Sequence, residues 1–339
     1  METTLKTRLA GLMKIMGIAL SITCVFVWLA MQGYSIGWTG FGKPADNALQ
    51  AKTLWDWMNL LLVPLFLAGS VLLLNRSKRD VEGQRAEENA TLEHDIARDN
   101  QQEEALQAYF DRIIELVLKE KLSKFSPDEV RNAARTRTLS VLRRLDTERK
   151  GMVVLFLKDS GLIDREAVVD LCGADLRGAS LMNAKLSRAN LGGADLSGAN
   201  LIGADLSKAF LDETNLHGAR LTSANLGGAG LVEANLSDAI LSQTKLNKAN
   251  LAGADLRGCH LHDAELCEAD LSGVNLNVGD LLGANLRGAK LGGAKLLGAN
   301  LSKADLSQAD LSGTEITNSE LEKAKSLEGT TMPDGTKHE

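Results

Sequence analysis

A strict period of five residues dominates the second half of this 339-residue chain. Leucine occupies position 171 and every fifth position after it up to 321, except at Ile316. Alanine lies two residues before the repeated position in 23 of 30 cases. Chance does not place leucine or isoleucine at 31 successive fifth positions, so the fold must account for this period.

The period of five matches neither an amphipathic helix nor a long flat strand, which repeat about every 3.6 and every 2 residues. It matches a short extended step followed by a turn. The leucine and the alanine two residues before it then point the same way, and the Asp or Asn between them points outward. Glycine, common two residues after the leucine, supplies the positive φ of a tight turn. Such short repeats bury no core alone, so the sequence predicts that they coil and stack.

The unit Ala-(Asp/Asn)-Leu-x-x, seen from Ala194 to Gly198, resembles the pentapeptide-repeat family over about 155 residues. The resemblance implies an all-β, right-handed quadrilateral parallel β-helix with four repeats per coil. Its leucines and alanines face inward. The tail from Thr330 to Gly335 also resembles the ending of many family members. We therefore expect a solenoid over residues 162–325 and a C-terminal tail or cap over 326–339.

Two apolar runs near the N-terminus, residues 12–31 and 54–74, have the length of transmembrane helices. About 20 helical residues cross a hydrocarbon core of about 30 Å. All four tryptophans lie at or between the inner ends of the runs, as expected near one membrane interface. The first run can also be read as a signal peptide, but it lacks a small-x-small cleavage site and a second run follows closely. We expect residues 1–74 to form a tail and a membrane α-helical hairpin.

Lysines and arginines flank the outer ends of both apolar runs and are rare in the loop between them. The positive-inside rule then places both termini in the cytoplasm. The sequence thus predicts a multi-pass protein of the bacterial cytoplasmic (inner) membrane, with the lipid bilayer as one partner.

Residues 75–104 and 105–161 differ in charge and pattern. Between residues 80 and 104 nine acidic residues face two basic ones, and apolar positions are too few for a strong coiled-coil seam, the alternative to a solvated stalk. From Leu106 onward, apolar residues recur at three- and four-residue steps. The sequence predicts an acidic helical stalk over 75–104 and a small α-helical bundle, the neck of the solenoid, over 105–161.

Seven basic residues and only two acidic ones stand between positions 131 and 150. Three interpretations stay open. The favoured one is a solvated face or pairing with the acidic stalk. The second is contact with anionic headgroups. The third is nucleic-acid binding, which the absence of interleaved aromatic residues disfavours.

The residues give no sign of catalytic chemistry. A nucleophile, a base and an orienting group must converge in a concave site, and a rod with outward side chains offers no cleft. Cys259, His260 and His262 come nearest to a metal cluster, but Cys259 holds an inward position and the two histidines flank an inward leucine. We expect no enzyme activity, no cofactor, no metal and no small-molecule substrate.

The sequence favours a membrane-tethered, non-enzymatic scaffold or protein-interaction rod. With four repeats per coil, one side of the rod runs through the centres Leu181, Leu201, Leu221, Leu241, Leu261 and Leu281. Its outward apolar residues form the candidate interaction face: Met182, Ile202, Ile240 and Leu282. Single surface apolar residues also occur without any function. The expected partner is an unidentified protein, or a second copy of this chain in a homo-oligomer.

The resemblance also implies an alternative function, because some family members resemble DNA and inhibit or protect DNA gyrase. From residue 170 to 324 the chain has 19 acidic and 13 basic residues, a net charge of −6. A DNA duplex as long as the rod, about 37 Å, carries about 22 negative charges. Mimicry of DNA, like nucleic acid as a partner, is therefore the less favoured expectation.

Overall fold

The computed structural model describes residues 54–119, 122–123, 125–163 and 168–339. These residues form four helices: α1 (Leu54–Lys119), α2 (Asp128–Leu142), α3 (Thr147–Asp159) and α4 (Asn318–Leu321). Single-residue β-bridges connect the segments between Asp175 and Thr331. The chain divides into two compact units, Met1–His94 and Asp95–Glu339, and α1 contributes residues to both.

The membrane prediction fails in the described residues. The predicted second span, 54–74, is only the first third of α1, which continues as one 66-residue helix into a charged stretch that begins at Arg76. No described helix combines the length and apolar character that crossing a bilayer requires. The prediction of a multi-pass protein of the cytoplasmic membrane, with both termini in the cytoplasm, is therefore wrong. The membrane hairpin and its lipid partner lose their support, and the predicted first span, 12–31, lies outside the described residues.

The helical bundle in the second unit has a small core of unlike side chains. One buried hydroxyl pair, Tyr109 Oη and Thr138 Oγ1 at 2.9 Å, joins α1 to α2. Phe110 of α1 and Phe156 of α3 have ring centroids 4.6 Å apart. The buried apolar residues of these helices include Leu106, Ile113, Leu116, Ala134, Leu142, Val153, Val154 and Leu157.

Arg149 of α3 fastens the acidic part of α1 to the bundle. Its guanidinium donates to Asp99 Oδ1 at 2.8 Å and to Glu103 Oε2 at 3.2 Å. It also pairs with Asp146, whose carboxylate caps α3 by accepting the Arg149 N–H at 2.9 Å. At this arginine, the basic stretch pairs with acidic residues of the predicted stalk.

The repeats form a parallel β-helix with four repeats per coil. Bridges join residues 20 apart and recur every five residues, from Asp175 with Asp195 to Lys295 with Glu315. The N–H of each central leucine reaches the next coil, as Leu176 donates to the carbonyl oxygen of Asp195 at 2.8 Å. Leucines 171 to 311 are at most 1% exposed, and the alanines of the repeat are buried with them. The predicted inward leucines and alanines are confirmed.

Each repeat turns at the second residue after its leucine, where φ is positive. In a typical repeat, Gly198 has φ 64° and the Ala199 N–H donates to the Leu196 carbonyl oxygen at 3.0 Å. A four-residue turn with positive φ at its third residue is of type II, which favours glycine there. Fourteen non-glycine residues nevertheless share this conformation, including the β-branched Val278 at φ 60°.

Helix α3 closes the first coil of the β-helix. The Ser180 N–H donates to the Thr147 carbonyl oxygen at 2.9 Å. Lys150, which is buried, pairs with Asp175 at 2.8 Å. A Cβ at Gly151 would lie 2.1 Å from the Ser180 carbonyl oxygen, so only glycine permits this approach.

The C-terminal residues close the last coil. After Glu315, α4 interrupts the regular bridges, and the chain then returns to the ladder with one extra residue. Ser326 bridges Asp305, and Thr331 bridges Asp310 in parallel and Lys337 in antiparallel orientation. The tail therefore pairs two bridge positions of the last coil, Asp305 and Asp310, and limits their pairing with another chain.

Candidate interaction face

One side of the β-helix carries the candidate interaction face and the two neighbouring histidines. We call it the third side, with the buried centres Leu181, Leu201, Leu221, Leu241, Leu261, Leu281 and Leu301. Residues 20 apart stand in neighbouring coils, about 4.8 Å from each other. The column before the centres reads Ser180, Asn200, Arg220, Ile240, His260, Asp280 and Asn300. The column after them reads Met182, Ile202, Thr222, Ser242, His262, Leu282 and Ser302.

The structure places all four predicted face residues on the third side but brings only Met182 and Ile202 into neighbouring coils. Met182 is 51% exposed, and the next residue's N–H donates to the Ile202 carbonyl oxygen at 2.9 Å. Ile240, 37% exposed, lies two coils further along, and the half-buried Leu282 lies two coils beyond it. Arg220 stands in the coil between Ile202 and Ile240. The face is thus an interrupted apolar stripe.

A cluster of His260, His262 and Asp280 lies on the same side, between Ile240 and Leu282. Their ligand atoms all lie within 4.8 Å of one another. The Nε2 of His262 contacts Asp280 Oδ2, and the Asn300 Nδ2 donates to Asp280 Oδ1 at 2.9 Å. Burial opposes the ionisation of Asp280, but these hydrogen bonds hold the pKa of its carboxyl below the ordinary value. The sequence reasoning grouped the two histidines with Cys259 and left out Asp280, although four repeats per coil place Asp280 next to His260.

A second exposed apolar pair escaped the sequence reasoning. Val278 is 73% exposed and Leu297 is 45% exposed. The Val278 N–H donates to the Leu297 carbonyl oxygen at 3.0 Å, so the two residues lie in neighbouring coils. The 20-residue register would have revealed this pair, since it places Leu297 next to residue 277, the immediate neighbour of Val278.

The repeat pattern is matched by a known family. The family model for pentapeptide repeats matches eight copies in this chain, over residues 169–201, 199–238, 234–273 and 280–324. The solved structure of HetL, a pentapeptide repeat protein involved in heterocyst differentiation regulation from the cyanobacterium Nostoc sp. strain PCC 7120, is 31% identical. That match covers 55% of this chain and 98% of HetL, with a TM-score of 0.25. The chain belongs to the pentapeptide-repeat family.

Other solved pentapeptide-repeat structures match smaller parts or match with lower identity. The protein alr5209 from Nostoc PCC 7120 is 41% identical over 25% of this chain and 69% of its own, with a TM-score of 0.24. QnrB1, a plasmid-mediated fluoroquinolone resistance protein, is 16% identical over 51% of this chain and 88% of its own, with a TM-score of 0.28. No curated protein sequence matches the chain.

Pentapeptide-repeat proteins are generally non-enzymatic structural or interaction proteins. In this member, outward carboxylates take part in the turns. Asp195 Oδ1 accepts the Ser197 N–H and the Asn215 Nδ2, both at 3.0 Å. Hydrogen bonds from the hydroxyl and the N–H of Ser272 hold the pKa of Asp270 below its ordinary value. Asp270 therefore stays ionised near neutral pH and suits turn capping better than general acid catalysis.

The described cysteines are all free thiols. Cys259 is fully buried, and burial raises its pKa to about 12. A Cβ at Gly279 would lie 3.7 Å from its Sγ, an ordinary van der Waals distance, so the thiol packs beside this glycine of the next coil. Burial also raises the pKa of Cys172 to about 11. Both groups are therefore protonated and poorly nucleophilic near neutral pH.

Proposed function

We propose that this pentapeptide-repeat protein is a non-enzymatic protein-interaction rod that docks its partner on the third side through Met182, Ile202, Ile240 and Leu282. The observation that supports the proposal is that the exposed Met182 and Ile240 share one side of the β-helix with the half-buried Ile202 and Leu282. The partner is a protein with a complementary apolar strip, or a second copy of this chain.

The β-helix frame makes this side a suitable docking surface. Backbone hydrogen bonds between coils hold each outward position, so a partner meets a surface that is already ordered and binding requires little further ordering. Burying apolar surface contributes roughly 25 cal/mol per Å². A few central residues usually carry most of the energy of an interface, and Ile202 and Ile240 are the inner members of this stripe.

No observation favours mimicry of DNA as a second function. The net charge of −6 over residues 170–324 is about a quarter of the charge on a DNA duplex of that length. Cations such as Lys290, which pairs with Asp270 at 3.6 Å, further break up any continuous acidic stripe.

The test compares the wild-type chain with the variant Ile202→Asp plus Ile240→Asp. Proteins recovered from the native lysate are quantified by mass spectrometry, and self-association is measured by sedimentation velocity. We expect the variant to lose a partner, or the self-association, that the wild-type chain shows. The matched control is Phe210→Asp plus Val232→Asp on the side through Leu211 and Leu231, which should keep that partner. Equal recovery and equal self-association for the Ile202/Ile240 variant and wild type would refute docking on the third side.

A further inference from the structure

We propose that His260, His262 and Asp280 bind one divalent transition-metal ion of the Zn²⁺ class on the third side of the β-helix. This proposal does not rest on the interaction function, because the metal would be bound by the chain alone, without a protein partner. It also reverses the sequence-based expectation of no metal. The parallel β-bridges between neighbouring coils bring the carboxylate of Asp280 next to the two histidines. Among the described residues, this is the one group of at least three His, Cys, Asp or Glu side chains whose ligand atoms converge.

The separation of the ligand atoms suits a shared ion. They lie within 4.8 Å of one another. Two ligand atoms that each lie about 2.1 Å from the same ion can be at most about 4.2 Å apart. The His260 side chain is exposed, and its ring centroid lies 6.2 Å from that of His262 in an edge-on arrangement. Rotation of the exposed His260 imidazole toward His262 and Asp280 would bring its nitrogen within this limit and complete the three-ligand set.

The carboxylate of Asp280 is already oriented toward the histidines. Its Oδ1 accepts hydrogen bonds from Asn300 Nδ2 at 2.9 Å and from the Leu282 N–H at 3.3 Å. Its Oδ2 therefore faces His262. Hydrogen-bonded partners of this kind fix a metal-binding carboxylate and raise the affinity of the site. The parallel bridges of Asp280 to His260 and to Asn300 hold the three coils in register.

The charge of Asp280 is not neutralised by a lysine or arginine. Asp175 and Asp255 pair with the arginines two residues after them, and Asp270 pairs with a lysine of the next coil. In the ion pairs of the described residues, Asp280 pairs with His262 alone. Its negative charge thus remains available to a cation.

The ligand set selects the class of metal. Imidazole nitrogens favour Zn²⁺, Cu²⁺, Ni²⁺ and related ions, whereas Mg²⁺ and Ca²⁺ prefer oxygen ligands alone. Two histidines and one carboxylate leave at least one coordination position open, which water or a side chain of another molecule can fill.

The test is a titration of the full chain, stripped of metal with a chelator, with Zn²⁺ by calorimetry and with Co²⁺ by absorbance, in the presence of excess Mg²⁺. We expect one ion per chain in this site. His260→Ala should weaken binding at least about 10-fold, because it removes one ligand, and His262→Ala should do the same. His260→Ala is the decisive variant, since it leaves the hydrogen bond between His262 and Asp280 in place.

His217→Ala is the matched control. His217 Nδ1 lies 3.7 Å from Asp238 Oδ2, an exposed histidine–aspartate pair that lacks a second imidazole. This variant should bind the metal like the wild-type chain. Failure of the wild-type chain to bind, or equal affinity for wild type and His260→Ala, would overturn the proposal. Neither result bears on docking at Ile202 and Ile240, which is measured without added metal.

Discussion

The helical bundle and the β-helix solve the same packing problem in opposite ways. The bundle core is built once, from unlike pieces such as the Tyr109–Thr138 hydroxyl pair and the Phe110–Phe156 contact. The β-helix core is built by repetition, with leucine and a small residue in every layer. In a repetitive core each position has similar surroundings in every coil. The residues found at that position in the other repeats therefore indicate which substitutions it tolerates. In the bundle each contact is individual and must be read from the structure.

The largest expected contrast lies between an inward and an outward position in two neighbouring repeats. Leu236→Lys should abolish cooperative folding of the β-helix, because a buried unpaired ammonium costs several kcal/mol. Glu233→Lys should be tolerated, since its position is exposed and the chain carries Lys208 and Lys248 at equivalent places with positive φ. Thermal unfolding followed by circular dichroism measures both variants. Equal melting temperatures would contradict the inward assignment of the leucines.

An intermediate effect is expected where the bundle meets the β-helix. Gly→Ala in a helix normally stabilises by up to about 1 kcal/mol. Gly151→Ala should instead destabilise by about 1–3 kcal/mol, because its Cβ would lie 2.1 Å from the Ser180 carbonyl oxygen and force α3 away from the first coil. Urea unfolding measures the change in the free energy of unfolding.

The control for that prediction is the same substitution at Gly83 of α1, where the new Cβ would meet no atom within 4 Å apart from the neighbouring backbone of its own helix. Gly83→Ala should leave the stability unchanged or raise it. If Gly151→Ala also left it unchanged or raised it, α3 would not lie on the first coil as described.

The smallest contrast compares the loss of one buried hydroxyl in each region. Tyr109→Phe should cost about 1 kcal/mol, because the bundle loses its Tyr109–Thr138 hydrogen bond. Thr244→Ala removes a hydroxyl that donates to the Leu221 carbonyl oxygen at 2.9 Å, but that oxygen also accepts the Ala224 N–H. Since alanine is the usual residue at this place in the repeat, the change should be within about 0.5 kcal/mol. Urea unfolding measures the free energy of unfolding of both variants. A larger decrease for Thr244→Ala than for Tyr109→Phe would contradict this prediction.

The repeat itself made the β-helix predictable. A period of five with leucine at its centre fixes which residues face inward, and the buried leucines and alanines agree with it at every coil. The candidate face was predictable only in part. Four repeats per coil predicted that Met182, Ile202, Ile240 and Leu282 share one side. The interruption at Arg220 and the exposed Val278–Leu297 pair were recognised only from the bridges and hydrogen bonds between neighbouring coils. The membrane prediction rested on the length and composition of the apolar run 54–74, and it failed because no described helix combines the length and apolar character that crossing a bilayer requires.

The sequence by itself determined the direction of each side chain in the repeats, because that direction depends only on the local alternation of extended step and turn. The tertiary structure decided which distant residues meet. Gly151 is required by the backbone of Ser180, Arg149 holds Asp99 and Glu103, and Asp280 joins His260 and His262 across neighbouring coils. These contacts depend on how helices dock and coils stack, and a local pattern of five residues carries no information about either.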